Sequence, residues 1–261
     1  MGKNTTWVTC GAVAVGIAGT GALFDWALAT WPILTAVGAA FGLVYLVGTF
    51  GASTPIFGRV ARAQSDGKTF SLTFDDGPDP RQTPAISRLL AERGHRATFF
   101  VLARHLREHP AVAAQVAADG HELANHGNDH RILVFSLPRT IRAQVAAAEE
   151  AARVATGGEL APLFRASHGY RSPWLSSVAR RLGYKLCGWD GRVFDTSVPG
   201  VEKIAERAIG ALRPGAVLLL HDGDGSGRGR PRQQTVDALP AILDEADRRE
   251  LRSVRLSELL R

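Results

Sequence analysis

The chain has 261 residues, and its net charge of +6 comes from 31 Lys and Arg against 25 Asp and Glu. With 45% hydrophobic and 21% charged residues, the average composition excludes a disordered tail, a collagen-like repeat and a small disulfide-stapled protein. It does not exclude a membrane protein, because the average conceals two unlike parts. Residues 4–58 contain a single charged residue, Asp25, whereas residues 59–261 carry all other charge except Lys3.

Two long uncharged runs occupy the first part of the chain. Trp7–Phe24 has 18 residues without a charge, and Trp26–Phe50 has 25. A helix rises ~1.5 Å per residue and needs about 20 apolar residues to cross a bilayer. The sequence therefore predicts a membrane anchor over residues 1–58, with two transmembrane helices at about 7–24 and 32–50 joined as a hairpin.

A cleaved signal peptide is the alternative interpretation of the first run. Lys3 and the Ala-Leu-Ala sequence at 27–29 fit such a peptide loosely, but Asp25 and Trp26 interrupt the approach to a cleavage site. Positive flanking residues favour the cytoplasm for both ends of a hairpin. The sequence thus predicts a location in a bacterial cell membrane, and it leaves open on which side the following domain lies.

After a linker at 59–67, short apolar runs alternate with helical patterns through residues 68–261. The strand candidates are Thr69–Phe74, Ala97–Val101, Glu122–Asn125, Leu163–Arg165, Lys185–Trp189, Ala216–Leu220 and Ser253–Arg255. The helix candidates are Thr83–Arg93, Pro110–Ala118, Leu137–Ala155, Ser176–Leu182, Val201–Leu212 and Thr235–Arg248. Such alternation is typical of a parallel α/β sheet, either open or closed into a barrel.

Polar side chains capable of chemistry follow five of these strands. They are Asp75, Asp76, His126, Arg165, Asp190, Asp195 and His221. In parallel α/β barrels the active site lies at the carboxyl ends of the strands. We therefore expect most of these side chains to meet at one end of the domain.

The segment 73–80, TFDDGPDP, places two adjacent carboxylates at a strand end. Asp, Gly and Pro are turn residues, so a simple turn accounts for positions 77–80. A turn does not account well for the two adjacent acids Asp75 and Asp76. In a hydrolytic site, one of two such carboxylates can bind a metal while the other stays free as a base.

The segment 126–130, HGNDH, carries two histidines four residues apart. If a helix begins here, both rings lie on one face. An isolated pair of this kind is a weak signal, but Asp76 adds a carboxylate. Two histidines and one carboxylate with an open position form the ligand set of a catalytic zinc site.

Two other strand ends carry a cation and a histidine. Arg165 is either a surface cation or a group pointing into the mouth of the barrel. His221 ends the apolar run 216–220, and its position favours a general acid over a buried structural histidine. The segment 223–232, GDGSGRGRPR, matches no phosphate-binding loop. It is interpreted as a mobile basic lid or rim whose arginines either attract phosphates or are simply solvated.

Together these motifs resemble the polysaccharide deacetylases with a NodB-homology domain, carbohydrate esterase family four, over residues 68–261. The TFDDGPD segment and the later H-x-x-x-H are the most specific features. The resemblance implies a distorted (β/α)7 barrel with parallel strands. It also implies that Asp75 is the general base, that Arg165 orients it, and that a divalent metal, zinc or cobalt, is held by Asp76, His126 and His130.

The resemblance assigns the remaining site residues as well. His221 is the general acid, and Asp195 corresponds to the aspartate that partners the arginine. The backbone N–H of His168 supplies the oxyanion donor, while Leu219 and Trp189 line the substrate pocket. Gly127, His168, Arg192 and Thr196 depart from the family pattern. These departures alter the pocket lining and leave the sugar specificity open.

The predicted function is a membrane-anchored, metal-dependent hydrolase that removes N-acetyl groups from an amino sugar. Its partners are an N-acetylated glycan or a lipid-linked amino sugar and membrane lipids, and no nucleic acid is expected. One alternative is a non-catalytic glycan- or lipid-binding module on the same fold. Another is a deacylase of a small acetylated or formylated lipid-linked amine. A cytoplasmic catalytic domain would favour a lipid-linked amino-sugar precursor over a finished wall polymer as the substrate.

Overall fold

The computed structural model describes residues 30–51, 54, 56–57 and 67–260. The chain divides after Val47 into two units, which are described separately. The first predicted transmembrane helix, about 7–24, lies outside the described residues, as does nearly all of the predicted linker.

Helix α1 spans Thr30–Phe50 and is 21 residues long. It contains no charged residue, and apolar side chains such as Trp31 and Phe41 are 69% and 74% exposed. Its length and composition would suit either a bilayer span or a signal sequence. The second predicted helix is therefore present, whereas the hairpin requires a first helix that is not described.

The second unit contains one parallel sheet whose strands lie in the order β5-β4-β3-β2-β1-β7-β6, with β8 beside β1. The strands are β1 Thr69–Asp75, β2 Ala97–Val101, β3 Glu122–Asn125, β4 Ala161–Phe164, β5 Lys185–Leu186, β6 Gly191–Arg192, β7 Val217–His221 and β8 Arg252–Ser253. Because the pairs are parallel, the carboxyl ends of the strands share one edge.

Helices follow most strands and cover the sheet. They are α2 Gln82–Glu92, α3 Ala103–Glu108, α4 Pro110–Ala118, α5 Pro138–Thr156, α6 Pro173–Arg181, α7 Val201–Ala211, α8 Gln233–Arg248 and α9 Leu256–Leu259. Two short 3₁₀ turns occur at Ser167–Gly169 and Asp195–Ser197. The predicted parallel α/β architecture is confirmed.

Strand β1 lies at the centre of the sheet and is buried on both faces. Phe70, Leu72 and Phe74 are fully buried in the main core, and the ring of Phe74 stacks on Phe99 of β2 at 5.1 Å. The alternate position Thr73 is also fully buried and donates through Oγ1 to the Leu218 carbonyl oxygen at 2.7 Å. This central strand ends at the two adjacent aspartates and fixes their position.

Three differences from the sequence prediction lie near the predicted site residues. The described part of the chain has eight strands rather than seven, because the two-residue β6 is too short to show a periodic pattern. Helix α3 was not predicted, since six residues carry little periodicity. Residues 126–130 form a loop rather than a helix start, and His130 has a left-handed φ of 59°. The two histidines converge through this loop and not through helical spacing.

Candidate functional site

A cavity of about 570 Å³ lies beyond the carboxyl ends of the strands. Eight of the ten predicted site residues line it: Asp75, Asp76, His126, His130, His168, Trp189, Leu219 and His221. The other two, Arg165 and Asp195, are buried behind the wall and contact lining residues. The strand ends therefore bring together the side chains that the sequence placed there, with the exception of Asp190.

Asp75 is buried and is held by a completely buried arginine. Arg165 Nη1 donates to Asp75 Oδ1 at 2.7 Å and to Thr73 Oγ1 at 2.8 Å, while Nη2 donates to the Gly188 carbonyl oxygen at 2.9 Å. The guanidinium carbon lies 4.0 Å from the ring centroid of Phe100. These contacts fix the carboxylate in one orientation, since a charged pair in a dry site is strong and directional.

Asp76, His126 and His130 form a compact cluster in which all three ligand atoms lie within 4.8 Å of one another. Asp76 Oδ1 is 3.4 Å from His126 Nε2 and 3.2 Å from His130 Nε2. Asp76 Oδ1 is buried and has no hydrogen-bond partner among the described residues. A carboxylate oxygen without a partner that faces two imidazole nitrogens fits a divalent cation well.

The protonation of the two histidines suits metal binding. His126 Nδ1 lies 2.8 Å from the Arg165 carbonyl oxygen, which can only accept, so Nδ1 carries a proton and Nε2 is the nitrogen that faces Asp76. Burial lowers the pKa of His130 to about 4, which leaves that ring neutral at pH 7. Although burial opposes it, Asp75 and Asp76 raise the pKa of His126, so the two carboxylates favour positive charge at this point.

The backbone around Asp76 is shaped to present its carboxylate. Asp76 has a left-handed φ of 75°, and its carbonyl oxygen lies 2.7 Å from Nδ1 of His105 on α3. A Cβ at Gly225 would lie 2.6 Å from both Asp76 Oδ1 and His130 Nδ1. Only glycine fits at this close approach, so the backbone at position 225 packs closely against the cluster.

His221 is paired with Asp195, which corrects one predicted contact. His221 Nδ1 lies 2.8 Å from Asp195 Oδ1, and the His221 backbone N–H donates to Asp195 Oδ2 at 2.8 Å. The sequence predicted Asp195 as the partner of Arg165, but that guanidinium is occupied by Asp75, Thr73 and a carbonyl. Asp195 belongs to a turn after β6, beside the end of β7, and therefore meets the histidine instead.

The remaining predicted residues form the cavity wall. Leu219 and Trp189 contribute apolar surface, and Leu219 is 6% exposed. His168 is exposed at the centre of a 3₁₀ turn with a φ of 59°, and its ring lies 4.5 Å from that of His130. His168 thus lies beside His130, and Trp189 lies close to Gly169, the next residue in the chain.

Two residues that support the site were not predicted from the sequence. His105 follows β2 by four residues and carries no motif. Asp222, which directly follows His221, is completely buried and accepts a 2.5 Å hydrogen bond from Thr83 Oγ1. Burial, together with nearby Asp76 and Asp75, raises the pKa of Asp222 to about 7. Its position directly after a strand end was the available signal.

Comparison with known proteins decides the family. Residues 62–187 match the family model described as polysaccharide deacetylase. A chitooligosaccharide deacetylase of Rhizobium leguminosarum bv. trifolii is 37% identical over 187 residues, which cover 69% of this chain and 86% of that protein. The chain belongs to this family. The family assignment makes the chain a hydrolase of carbon–nitrogen bonds other than peptide bonds, and it confirms the resemblance noted in the sequence.

Two further relatives agree. A peptidoglycan-N-acetylglucosamine deacetylase of Bacillus cereus is 34% identical over 196 residues, which cover 74% of this chain and 89% of the relative. A family 4 carbohydrate esterase from Streptomyces lividans, solved in complex with acetate, has a TM-score of 0.65 and 26% identity, covering 73% of this chain and 93% of that one. The deacetylase fold thus extends over the α/β part of the chain.

Proposed function

We propose that this polysaccharide deacetylase removes N-acetyl groups from an amino sugar by metal-dependent hydrolysis in the cavity beyond the strand ends. The observation that carries the proposal is that one cavity is lined by the Asp76–His126–His130 cluster, by Asp75 and by His221, which Asp195 holds from behind the wall. The named activities of the relatives, on chitooligosaccharide and peptidoglycan, support an acetylated glycan as the substrate class.

Asp76, His126 and His130 would hold the metal, which is zinc or cobalt. A divalent cation supplies Lewis-acid polarisation of the amide carbonyl and lowers the pKa of water. The protein supplies the ligand orientation, because Nδ1 of His126 is fixed on the Arg165 carbonyl oxygen and Asp76 is fixed through its own backbone. Residues that surround a metal site contribute to metal binding by fixing the orientation of the ligands in this way.

Asp75 acts as the general base. Arg165 holds one carboxylate oxygen, Oδ1, and Oδ2 lies 3.9 Å from His126 Nε2, on the side of the metal cluster. The second oxygen is therefore placed to take a proton from the attacking water. Arg165 orients the base without contacting the cavity, which makes it a positioning residue.

His221 acts as the general acid. Its Nδ1 is engaged by Asp195, so Nε2 is the atom that can donate a proton to the departing amine. Although burial opposes protonation, Asp195 raises the pKa of His221 to about 9, which keeps the ring charged at pH 7. The backbone N–H of His168 would hold the oxyanion, while Leu219 and Trp189 would pack against the acetyl group and the sugar.

The exposed apolar helix α1 supports a membrane anchor for the enzyme. In this proposal residues 1–58 hold the protein in the membrane, 59–67 link it, and 68–261 form the catalytic domain. Helix α1 has the length of a single span, and its large apolar side chains are largely exposed. A membrane-held enzyme would reach either a cell-wall glycan or a lipid-linked amino sugar.

Metal dependence provides the test. The full chain is stripped with a chelator, and acetate release from an N-acetylglucosamine oligomer is measured before and after zinc or cobalt is returned. We expect activity to disappear and then recover, and His130→Ala should lose both bound metal and activity. His109→Ala, at the junction of α3 and α4, is the control and should retain both. Full activity in stripped protein, or no acetate release after reloading, would refute the proposal.

A further inference from the structure

Three arginines line the same cavity as the catalytic side chains. Arg192 comes from β6, and Arg230 and Arg232 come from the segment 223–232 between β7 and α8. We call these three residues the arginine rim. They are separated in sequence by up to 40 positions, so their convergence reflects the fold and not a local run of basic residues.

The segment that carries two of the arginines is held in place by its own hydrogen bonds. Asp224 accepts from the Ser226 hydroxyl at 2.7 Å and from the Arg230 backbone N–H at 2.9 Å. From outside the segment, Arg104 of α3 donates to the Gly225 carbonyl oxygen at 2.7 Å. The segment therefore forms a defined part of the cavity wall.

The arginine rim carries more positive charge than the acidic groups of the cavity wall neutralise. Arg232 is 5% exposed, its Nε donates to the Gly223 carbonyl oxygen, and its Nη2 lies 3.6 Å from Asp224 Oδ1. Its Nη1 is buried without an acceptor among the described residues. Arg192 and Arg230 are exposed and make no ion pair within the part of the chain that the structure describes, and Arg192 lies over the Trp189 ring at 5.2 Å.

The acidic groups of the cavity do not balance the rim. Asp75 is paired with Arg165, Asp76 belongs to the metal cluster, and Asp224 already accepts three hydrogen bonds from its own segment. The guanidinium groups of Arg192 and Arg230 are thus available to bind a ligand. Guanidinium groups bind carboxylate and phosphate oxygens through paired hydrogen bonds, which neutral sugar hydroxyls cannot match.

We propose that the arginine rim is a subsite for an anionic group, a carboxylate or a phosphate, carried by the acetylated substrate. The enzyme then selects N-acetylated amino sugars that bear such a group near the reacting acetamide over neutral glycans. This inference rests on the proposed deacetylation, because the subsite adjoins the same catalytic cavity. The stacking of Arg192 on Trp189 orients one guanidinium beside a residue that would also contact the sugar.

Three matched substrates test the subsite: the methyl glycoside of N-acetylglucosamine, N-acetylglucosamine 1-phosphate, and the 3-O-lactyl ether of N-acetylglucosamine, which carries a carboxylate. Acetate release by the zinc-loaded full chain gives kcat/KM for each. We expect at least one anionic substrate to exceed the neutral one by about ten-fold, and this ratio should fall as salt rises. The kcat/KM of the phosphate substrate, compared with that of the carboxylate substrate, shows which anion the arginine rim prefers. Equal kcat/KM for all three would overturn the inference.

Two variants test whether the arginine rim causes the preference for anionic substrates. The double variant Arg192→Gln/Arg230→Gln alters two exposed side chains and should reduce the anionic-to-neutral ratio toward one. Arg228→Gln is the matched control, since Arg228 lies in the same segment but does not line the cavity. An unchanged ratio in the double variant would refute the assignment.

A binding measurement separates this inference from the proposed function. Calorimetry compares N-acetylglucosamine 1-phosphate, N-acetylglucosamine 3-O-lactyl ether and the neutral glycoside on the wild type and on the double variant. If no substrate releases acetate, the proposed deacetylation fails. The subsite is still supported by anionic binding that the double variant weakens about ten-fold, and it is refuted by anionic binding no tighter than neutral binding.

Discussion

Replacing Asp195 by Asn should shift the alkaline limit of activity. Asp195 is 3% exposed, and its Oδ1 lies 2.8 Å from His221 Nδ1. The amide keeps the shape and one oxygen but removes the negative charge. Against the opposing effect of burial, that charge is the main reason that the pKa of His221 lies at about 9. The pKa of His221 must therefore fall in the variant.

The size of the shift follows from the geometry. A hydrogen bond to a charged partner contributes about 1.5–3 kcal/mol, and one pKa unit corresponds to about 1.4 kcal/mol. Loss of the charge should lower the pKa of His221 by about one to two units on this scale. A general acid works in its protonated form, so activity is lost as the pH rises through its pKa. The alkaline limb of the profile should move to lower pH by the same amount.

The assay is kcat/KM for acetate release between pH 6 and 10 with zinc-loaded protein, after thermal melting has confirmed folding. Thr235→Val is the control, because it removes one 2.9 Å hydrogen bond to Asp195 Oδ2 and leaves the charge. It should move the limb much less than the Asn variant. An alkaline limb that stays in place in Asp195→Asn would show that His221 is not the acid, or that Asp195 does not set its pKa.

Three other changes test separate parts of the molecule. Gly225→Ala should lower zinc affinity by ten-fold or more in a competition titration, because its Cβ would lie 2.6 Å from Asp76 Oδ1 and from His130 Nδ1. Gly210→Ala is the control and should leave affinity unchanged, because its Cβ would meet no atom of the described residues within 4 Å. His105→Ala removes the 2.7 Å contact to the Asp76 carbonyl oxygen and should reduce zinc affinity by about ten-fold without changing the melting temperature by more than a few degrees. Phe99→Ala, in the main core, should cost about 3–5 kcal/mol in urea unfolding, and a loss below about 1 kcal/mol would contradict the packing described.

The longer strands and helices could be predicted from the sequence. Strand β1 and helices such as α5 carry clear periodicity, and their predicted bounds agree with the structure to within a residue or two. Strand β6 and helix α3 were missed because two and six residues carry too little pattern. The predicted strand at 185–189 contracts to Lys185–Leu186, and Trp189 beyond it lines the cavity.

Side-chain partners were harder to predict than strand ends. Parallel topology guarantees that groups after strands meet at one edge, so Asp75, His126 and His221 converge as expected. Which acid contacts which base depends on the turn after β6, and the sequence paired Asp195 with Arg165 wrongly. His105 reaches the backbone of Asp76 from a neighbouring connection, a contact that no local motif records.

The central claim is that an acetamide is hydrolysed in one cavity by a metal held by Asp76, His126 and His130 and by Asp75 as a separate base. The most direct measurement compares acetate release by the zinc-loaded wild type and by Asp75→Asn at equal bound zinc, with an N-acetylated amino-sugar oligomer as substrate. We predict that the variant keeps one zinc per chain and loses at least about 100-fold in kcat. Wild-type turnover by Asp75→Asn at full zinc occupancy would contradict the mechanism.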